Sequence, residues 1–174
     1  MNFHERGMFY MKKSIRSLAL LGVCALSLTA CGEVTFSDFQ TKATEALKKD
    51  VEYKTATVSG TVKTKSDSSS SESKISATLN VNGHILTPAS LSDTVTSVIV
   101  TAFGLGTFSA AENTSYKYYA GSTFKVSYEE TYSDDSKGTS EIQWNEYGLV
   151  TSIKANGTGS NSSSTYNLKV SYSK

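Results

Sequence analysis

The sequence predicts an α+β protein: a curved antiparallel sheet of about seven strands packed on two helices, in the order α-β-β-α-β-β-β-β-β. Two segments carry apolar residues at helical spacing. Other segments alternate apolar residues with Ser, Thr, Lys, Glu or Asn at period two, as half-buried strands do. From Ser115 onward, short clusters of Gly, Asn, Asp and Ser are the only separators between such runs. That pattern is a meander.

Residues 31–36 read as a tether and 37–174 as a single α+β domain. Ser37 reads as an N-cap with Gln40 as its capping-box partner. Phe39, Ala43, Ala46 and Leu47 then form a narrow stripe, which predicts a helix over 38–49. From Tyr53, Ala56, Val58 and Val62 face one way, and Thr55, Thr57, Ser59, Thr61 and Lys63 the other. A Ser-rich loop over 66–73 follows, then Ile75, Ala77, Leu79 and Val81 alternate with polar residues up to Asn82-Gly83. Thr87-Pro88 opens a second helix, with Thr as cap and Pro at the first helical position. Leu91, Val95, Val98, Ile99, Ala102 and Phe103 give it an apolar stripe, and Gly104 ends it.

Five strands complete the chain. The first holds Tyr116, Tyr118 and Tyr119, and the second Phe124, Val126, Tyr128 and Tyr132. A turn at 134–138 precedes Ile142 and Trp144. Asn145-Glu146-Tyr147-Gly148 is the next turn, before a strand with Leu149, Thr151, Ile153 and Ala155 on one face. Asn156 to Ser163 reads as a loop, and Tyr166, Leu168, Val170 and Tyr172 close the chain. Each strand has one apolar face, and the two helices are the available cover. Strong twist would curl the sheet around them.

The leader fixes an address. From Met11 the chain reads Met-Lys-Lys-Ser-Ile-Arg, followed by an uncharged apolar or small run from Ser17 to Leu28. Basic, then apolar, then small is the layout of a secretory signal peptide. The run is shorter than the roughly 20 residues a bilayer span needs. Residues 1–30 are therefore read as the signal peptide, with the start at Met11 in preference to Met1 or Met8. The segment Leu28-Thr29-Ala30-Cys31-Gly32 resembles the lipobox of bacterial lipoproteins. That resemblance implies recognition of Leu28, Thr29 and Ala30 by the lipoprotein signal peptidase and cleavage after Ala30. It also implies a diacylglyceryl thioether on Cys31 and a further acyl chain on the new amino terminus. The expected location is the extracytoplasmic side of the cell membrane, lipid-anchored. The alternative is an ordinary signal peptide with an incidental cysteine.

Composition excludes several function classes. Arg6, Lys12, Lys13, Arg16 and Glu5 lie in the leader, so the chain's 17 basic and 16 acidic residues fall to 13 and 15 without it. A balance near −2 gives no electrostatic reason to bind nucleic acid. Cys24 lies in the leader and the lipobox resemblance implies a lipid on Cys31, which would leave neither a disulfide nor a thiolate metal site. His84 is the only histidine after the leader, so multi-histidine metal sites and most histidine relays lack their parts. No metal and no cofactor is expected.

The element order resembles the half-barrel fold of lipoprotein-localisation carriers and mycobacterial lipid-binding lipoproteins. Trp144-Asn145-Glu146-Tyr147-Gly148-Leu149-Val150 is similar to their strand-turn-strand. A cystatin-like or other helix-on-sheet domain is the alternative. The half-barrel resemblance implies an apolar ligand pocket, in which Leu91, Val95, Val98, Ile99 and Phe103 of the second helix face Phe124, Val126, Tyr128, Ile142, Trp144 and Leu168. An ordinary packed core needs the same periodicity. Tyr116, Tyr118 and Tyr119 suggest an aromatic contact surface, although tyrosine is common in strands. Glu129, Glu130, Asp134 and Asp135 lack the spacing of a calcium loop. Neither a Gly-x-Ser-x-Gly elbow nor an acid beside His84 supports hydrolysis. The expected function is therefore a non-catalytic, membrane-anchored lipoprotein binding a lipid or other apolar ligand. The competing reading is a surface interaction or adhesion protein with a packed core, recognising an envelope or surface protein or a glycan; a hydrolase ranks behind both.

Overall fold

The computed structural model describes residues 32–107, 114–131, 137–159 and 161–174. The signal peptide and Cys31 lie outside the described residues, as do Tyr132, Asp134 and Asp135. In chain order the elements are β1 (Glu33–Val34), α1 (Phe36–Ala46), β2 (Thr55–Ser66), β3 (Ser69–Asn82) and β4 (Ile85–Pro88). Then come a 3-10 turn (Leu91–Asp93), α2 (Thr94–Ala102) and a second 3-10 turn (Leu105–Thr107). The chain ends with β5 (Ser115–Ala120), β6 (Phe124–Thr131), β7 (Lys137–Trp144), β8 (Val150–Thr158) and β9 (Ser162–Ser173).

The α+β class holds, with an open antiparallel sheet of nine strands instead of seven, ordered β1-β5-β6-β7-β8-β9-β2-β3-β4. The two added strands are β1 and β4, both short and both at edges. β5 to β9 form the expected meander. β9 then pairs with β2 along the whole of both strands, from Thr55↔Ser173 to Ser66↔Ser162. The first long strand and the last are therefore neighbours inside the sheet. Their match is set by burial: Ala56, Val58 and Val62 stand opposite Tyr172, Val170 and Tyr166, so one face stays apolar.

Several expected boundaries move. Thr35, not Ser37, caps α1: its Oγ1 accepts from the Asp38 N–H at 3.2 Å and donates to Asp38 Oδ2 at 2.7 Å. The helix ends at Ala46, three residues early. The Ser-rich stretch 66–73 is mostly strand, because Asp67 and Ser68 alone make the turn and Ser69 onward pairs back on β2. Serine composition suggests a loop, but a long hairpin needs only backbone groups to continue its ladder. Likewise β8 runs on to Thr158 and β9 begins at Ser162, which shortens the expected 156–163 loop. A register shift between Gln143 and Trp144 sets Val150 opposite Trp144. Leu149 and Val150 are both buried as a result, and the simple alternation from Leu149 fails there.

Pro88 does not begin a helix. It ends β4, paired with Leu79, on the outermost strand, where a missing N–H costs no ladder bond. The helix starts six residues later.

The core lies between the helices and one sheet face. Phe39 of α1 packs against Tyr118 at 5.4 Å, edge-on to Phe124 at 5.8 Å and against Trp144 at 6.3 Å. Trp144 Nε1 donates to the Phe103 carbonyl just past α2 at 2.7 Å. The turn after β7 docks here too: Asn145 Oδ1 accepts from the Tyr147 and Leu149 N–H groups, and Gly148 takes φ +74°. A side chain on Gly148 would meet Leu105 at 3.0 Å and Leu47 at 3.1 Å. All fully buried apolar residues among those described lie between Phe39 and Val170.

Two predictions follow from this packing. A methyl at Gly60 would stand 2.0 Å from the Asn167 carbonyl oxygen in the middle of the β2–β9 ladder. Gly60→Ala should therefore cost more than about 2 kcal/mol, measured as a lowered urea midpoint at unchanged slope. Burial also pushes the Tyr118, Tyr166 and Tyr172 phenols above the ordinary tyrosine value. Their stabilising contribution is complete below about pH 10 and is lost as pH rises through the folded values. Unfolding scans should show constant stability from neutral pH to about 9, then a decline.

Candidate functional site

The expected apolar pocket divides in two. Phe124, Val126, Tyr128, Ile142, Trp144 and Leu168 do come together on the helix-covered face, all buried. Ile99 of α2 and Phe103 just past it pack at their margin, half-buried. Leu91, Val95 and Val98 do not join them: they are 96%, 64% and 54% exposed, while Val100 is fully buried. The reason lies in the segment Thr94-Val95-Thr96-Ser97-Val98-Ile99-Val100, which is apolar on more than one side. Thr96, Ser97 and Val100 form the side turned inward. The small side chains let the helix lie close to β4, where Ser97 Oγ donates to the Leu86 carbonyl at 3.5 Å. The stripe that includes Leu91, Val95 and Val98 is left outside.

Among the described residues, the buried apolar core forms one packed cluster. Two depressions among the described residues are both open to solvent. One, of about 240 Å³, lies on β7, β8 and β9 between Thr139, Glu141, Lys154, Asn156 and Asn167. The other, of about 230 Å³, lies between α1 and the β5–β6 turn and is bordered by Lys42, Glu45, Lys49 and Phe124. Beyond the helix cover, the inner face continues as a row from Tyr116 and Tyr128 through Ser140, Ala155 and Tyr166 to Val62. Tyr116 stacks on Tyr118 at 5.6 Å and on Tyr128 at 6.3 Å. Tyr116, Tyr166 and Val62 in this row are only half-buried.

Register also sorts the charges. Lys63, Lys65, Lys74, Lys117, Lys125, Lys137, Lys154 and Lys169 all fall on the outer face of the sheet. Glu33, Glu72, Glu129 and Glu141 are the acids there. Lys63 pairs with Glu72 at 2.9 Å, and Lys154 with the buried Glu141 at 3.0 Å. Gln143 Nε2 also donates to Glu141. Lys125 is buried with its ammonium 4.3 Å from the Tyr119 ring centroid. Thus Tyr119 faces away from Tyr116 and Tyr118, as the strand period requires. Elsewhere acids prevail: Asp38, Glu45, Asp50, Glu52, Asp67, Asp93, Glu130 and Glu146 against Lys42, Lys48, Lys49, Lys54 and Lys174. This segregation is invisible in the sequence, because it depends on which strand lies beside which.

His84 sits in the β3–β4 turn after Gly83, and its Nε2 is buried without a hydrogen-bond partner among the described residues. Among the described residues no cluster of His, Cys, Asp or Glu is arranged to hold a metal ion.

The split in α2 is measurable. Val98→Ser should change stability by less than about 0.5 kcal/mol, whereas Val100→Ala should cost about 2 kcal/mol, both read from denaturant midpoints. Equal losses at the two positions would show that both sides of the helix are covered. No protein-family model matches the chain and no curated protein matches it, so its function is argued from these residues.

Proposed function

We propose that the chain is a lipid-anchored extracytoplasmic lipoprotein that works by recognition and not by catalysis. Its interior is packed, and its apolar contact surface is the uncovered side of α2. The observation that carries this reading is the exposure of Leu91, Val95 and Val98 beside a full core. Val95 and Val98, three residues apart on α2, and Leu91 of the 3-10 turn before it give this part of the surface a partner-binding character. The partner class is an envelope or surface protein with an apolar face. The anchor is supported by Leu28-Thr29-Ala30-Cys31, since two or more acyl chains hold a protein stably at a bilayer where one does not.

A second reading keeps the ligand between sheet and helices, in a half-barrel. It is favoured by the half-buried row of Tyr116, Tyr166 and Val62 beyond the helix cover. An acyl chain would lie along that row, with the tyrosine hydroxyls toward a polar head.

Two measurements test the proposal. Cys31→Ser should leave the leader uncut by the lipoprotein peptidase and, wherever another peptidase removes the leader, move the protein from the membrane fraction to the soluble one. Retention with normal processing would end the anchored reading. In pull-downs from envelope extract, Val95→Asp with Val98→Asp should reduce capture at least tenfold while leaving the thermal midpoint within a few degrees. Acyl chains released from the purified domain in native mass spectrometry would instead favour the second reading.

A further inference from the structure

We propose that the outer face of the sheet is a bilayer-facing surface, which docks the domain on anionic phospholipid headgroups. This rests on the lipid-anchored reading above. Lys65, Lys74, Lys117, Lys137 and Lys169 are exposed on that face and have no carboxylate partner among the described residues. They come from five strands spread over more than a hundred positions of sequence, and only the β2–β9 and β5–β8 pairings bring them to one side. The two best-placed acids of the face, Glu72 and Glu141, are already neutralised by Lys63 and Lys154. Glu33 and Glu129 are the exposed acids of the same face, and Lys125, Ser127 and Glu141 at its centre are buried. What remains toward solvent is a cationic excess of five lysines over two acids.

The length of chain before the sheet selects the partner. Gly32 is the one residue between Cys31 and β1, and it spans at most about 3.6 Å. A lipid on Cys31 therefore holds an edge of this sheet at the headgroups, whichever way the domain leans. Charge then decides the lean. At physiological salt the screening length is about 8 Å, while a helix layer lies about 10 Å beyond the sheet. Headgroups next to the outer face feel its lysines, and the acids of the helix side are screened. The opposite orientation would offer Asp38, Glu45 and Asp50 beside Lys42 and Lys48, with Glu146 paired to Lys49 at 3.9 Å, a side with no cationic excess for the headgroups. A chain with a small net negative charge can thus favour an anionic surface, because only the near face counts. Docking by this face leaves Leu91, Val95 and Val98 on the side away from the lipid.

The test uses the chain from residue 31, which contains every described element and has Cys31 as its only cysteine. Coupling Cys31 to a maleimide-bearing lipid in vesicles supplies the tether whether or not the cell lipidates it. Failure of docking is thereby separable from failure of the anchor, which the Cys31→Ser fractionation reads. Lysine acetylation is then followed site by site by mass spectrometry, with Trp144 emission as the check on folding. On vesicles containing phosphatidylglycerol, Lys65, Lys74, Lys117 and Lys169 should react about fivefold more slowly than on phosphatidylcholine alone, with Lys42 and Lys48 unchanged. Salt at about 1 M should remove the difference. Lys74→Glu combined with Lys169→Glu should restore the reactivity of Lys65 and Lys117 on anionic vesicles. Equal rates on both vesicles, or protection that survives the double reversal, would overturn the proposal. Protection by soluble polyphosphate with none from vesicles would overturn it as well, and would assign the face to a free polyanion.

Discussion

The indole of Trp144 is the contact on which the arrangement of helices and sheet depends. Its ring lies against Phe39 of α1, and its N–H is bonded to the Phe103 carbonyl at the end of α2. One side chain at the end of a central strand thus fixes both helices. A buried indole N–H without an acceptor would be costly, so the position of α2's last turn is coupled to the rotamer of Trp144. The Asn145–Gly148 turn completes the arrangement, since Gly148 leaves room for Leu47 and Leu105 against the backbone. Sequence order separates these groups by more than a hundred residues, and one aromatic residue joins them.

The strands were the legible part of the fold. Alternation in β2, β3, β5, β6 and β9 fixed both their existence and their buried faces, because period two admits only one inward set. The second helix was legible as a helix but not in its orientation. Its sequence places aliphatic residues around most of the circumference, so periodicity offers two inward faces. Packing on the edge strand β4 selects the one with Thr96, Ser97 and Val100. Local chemistry gave no hint of this, since serine and threonine are ordinarily assigned outward. Pro88 misled for a similar reason: its fixed φ suits a first helical turn and an edge strand equally.

The candidate surfaces were less legible still. The lipobox is a contiguous motif, and contiguous motifs can be read from sequence. The lysine face is the product of a nine-strand order, in which β2 lies between β9 and β3. No spacing along the chain encodes that neighbourhood. Glu141 illustrates the same limit. In sequence it is one more polar residue on a strand; in the sheet it is buried beneath Lys154 and Gln143, which come from a neighbouring strand and its own.

The pairing of β2 with β9 has a consequence for biogenesis. In the sheet, the hairpin of β2, β3 and β4 joins the meander of β5 to β8 only through β9, the last of the described strands in chain order. A chain made from its amino end therefore first forms two unjoined half-sheets, each with a bare edge. Closure waits for the dozen residues of β9 and requires a loop of about a hundred residues to shut, which makes assembly slow. During that interval the edges of β2 and β8 are open to foreign strands. Loss of the dozen residues of β9 would then do more than shorten the sheet: it would remove the seam between the halves.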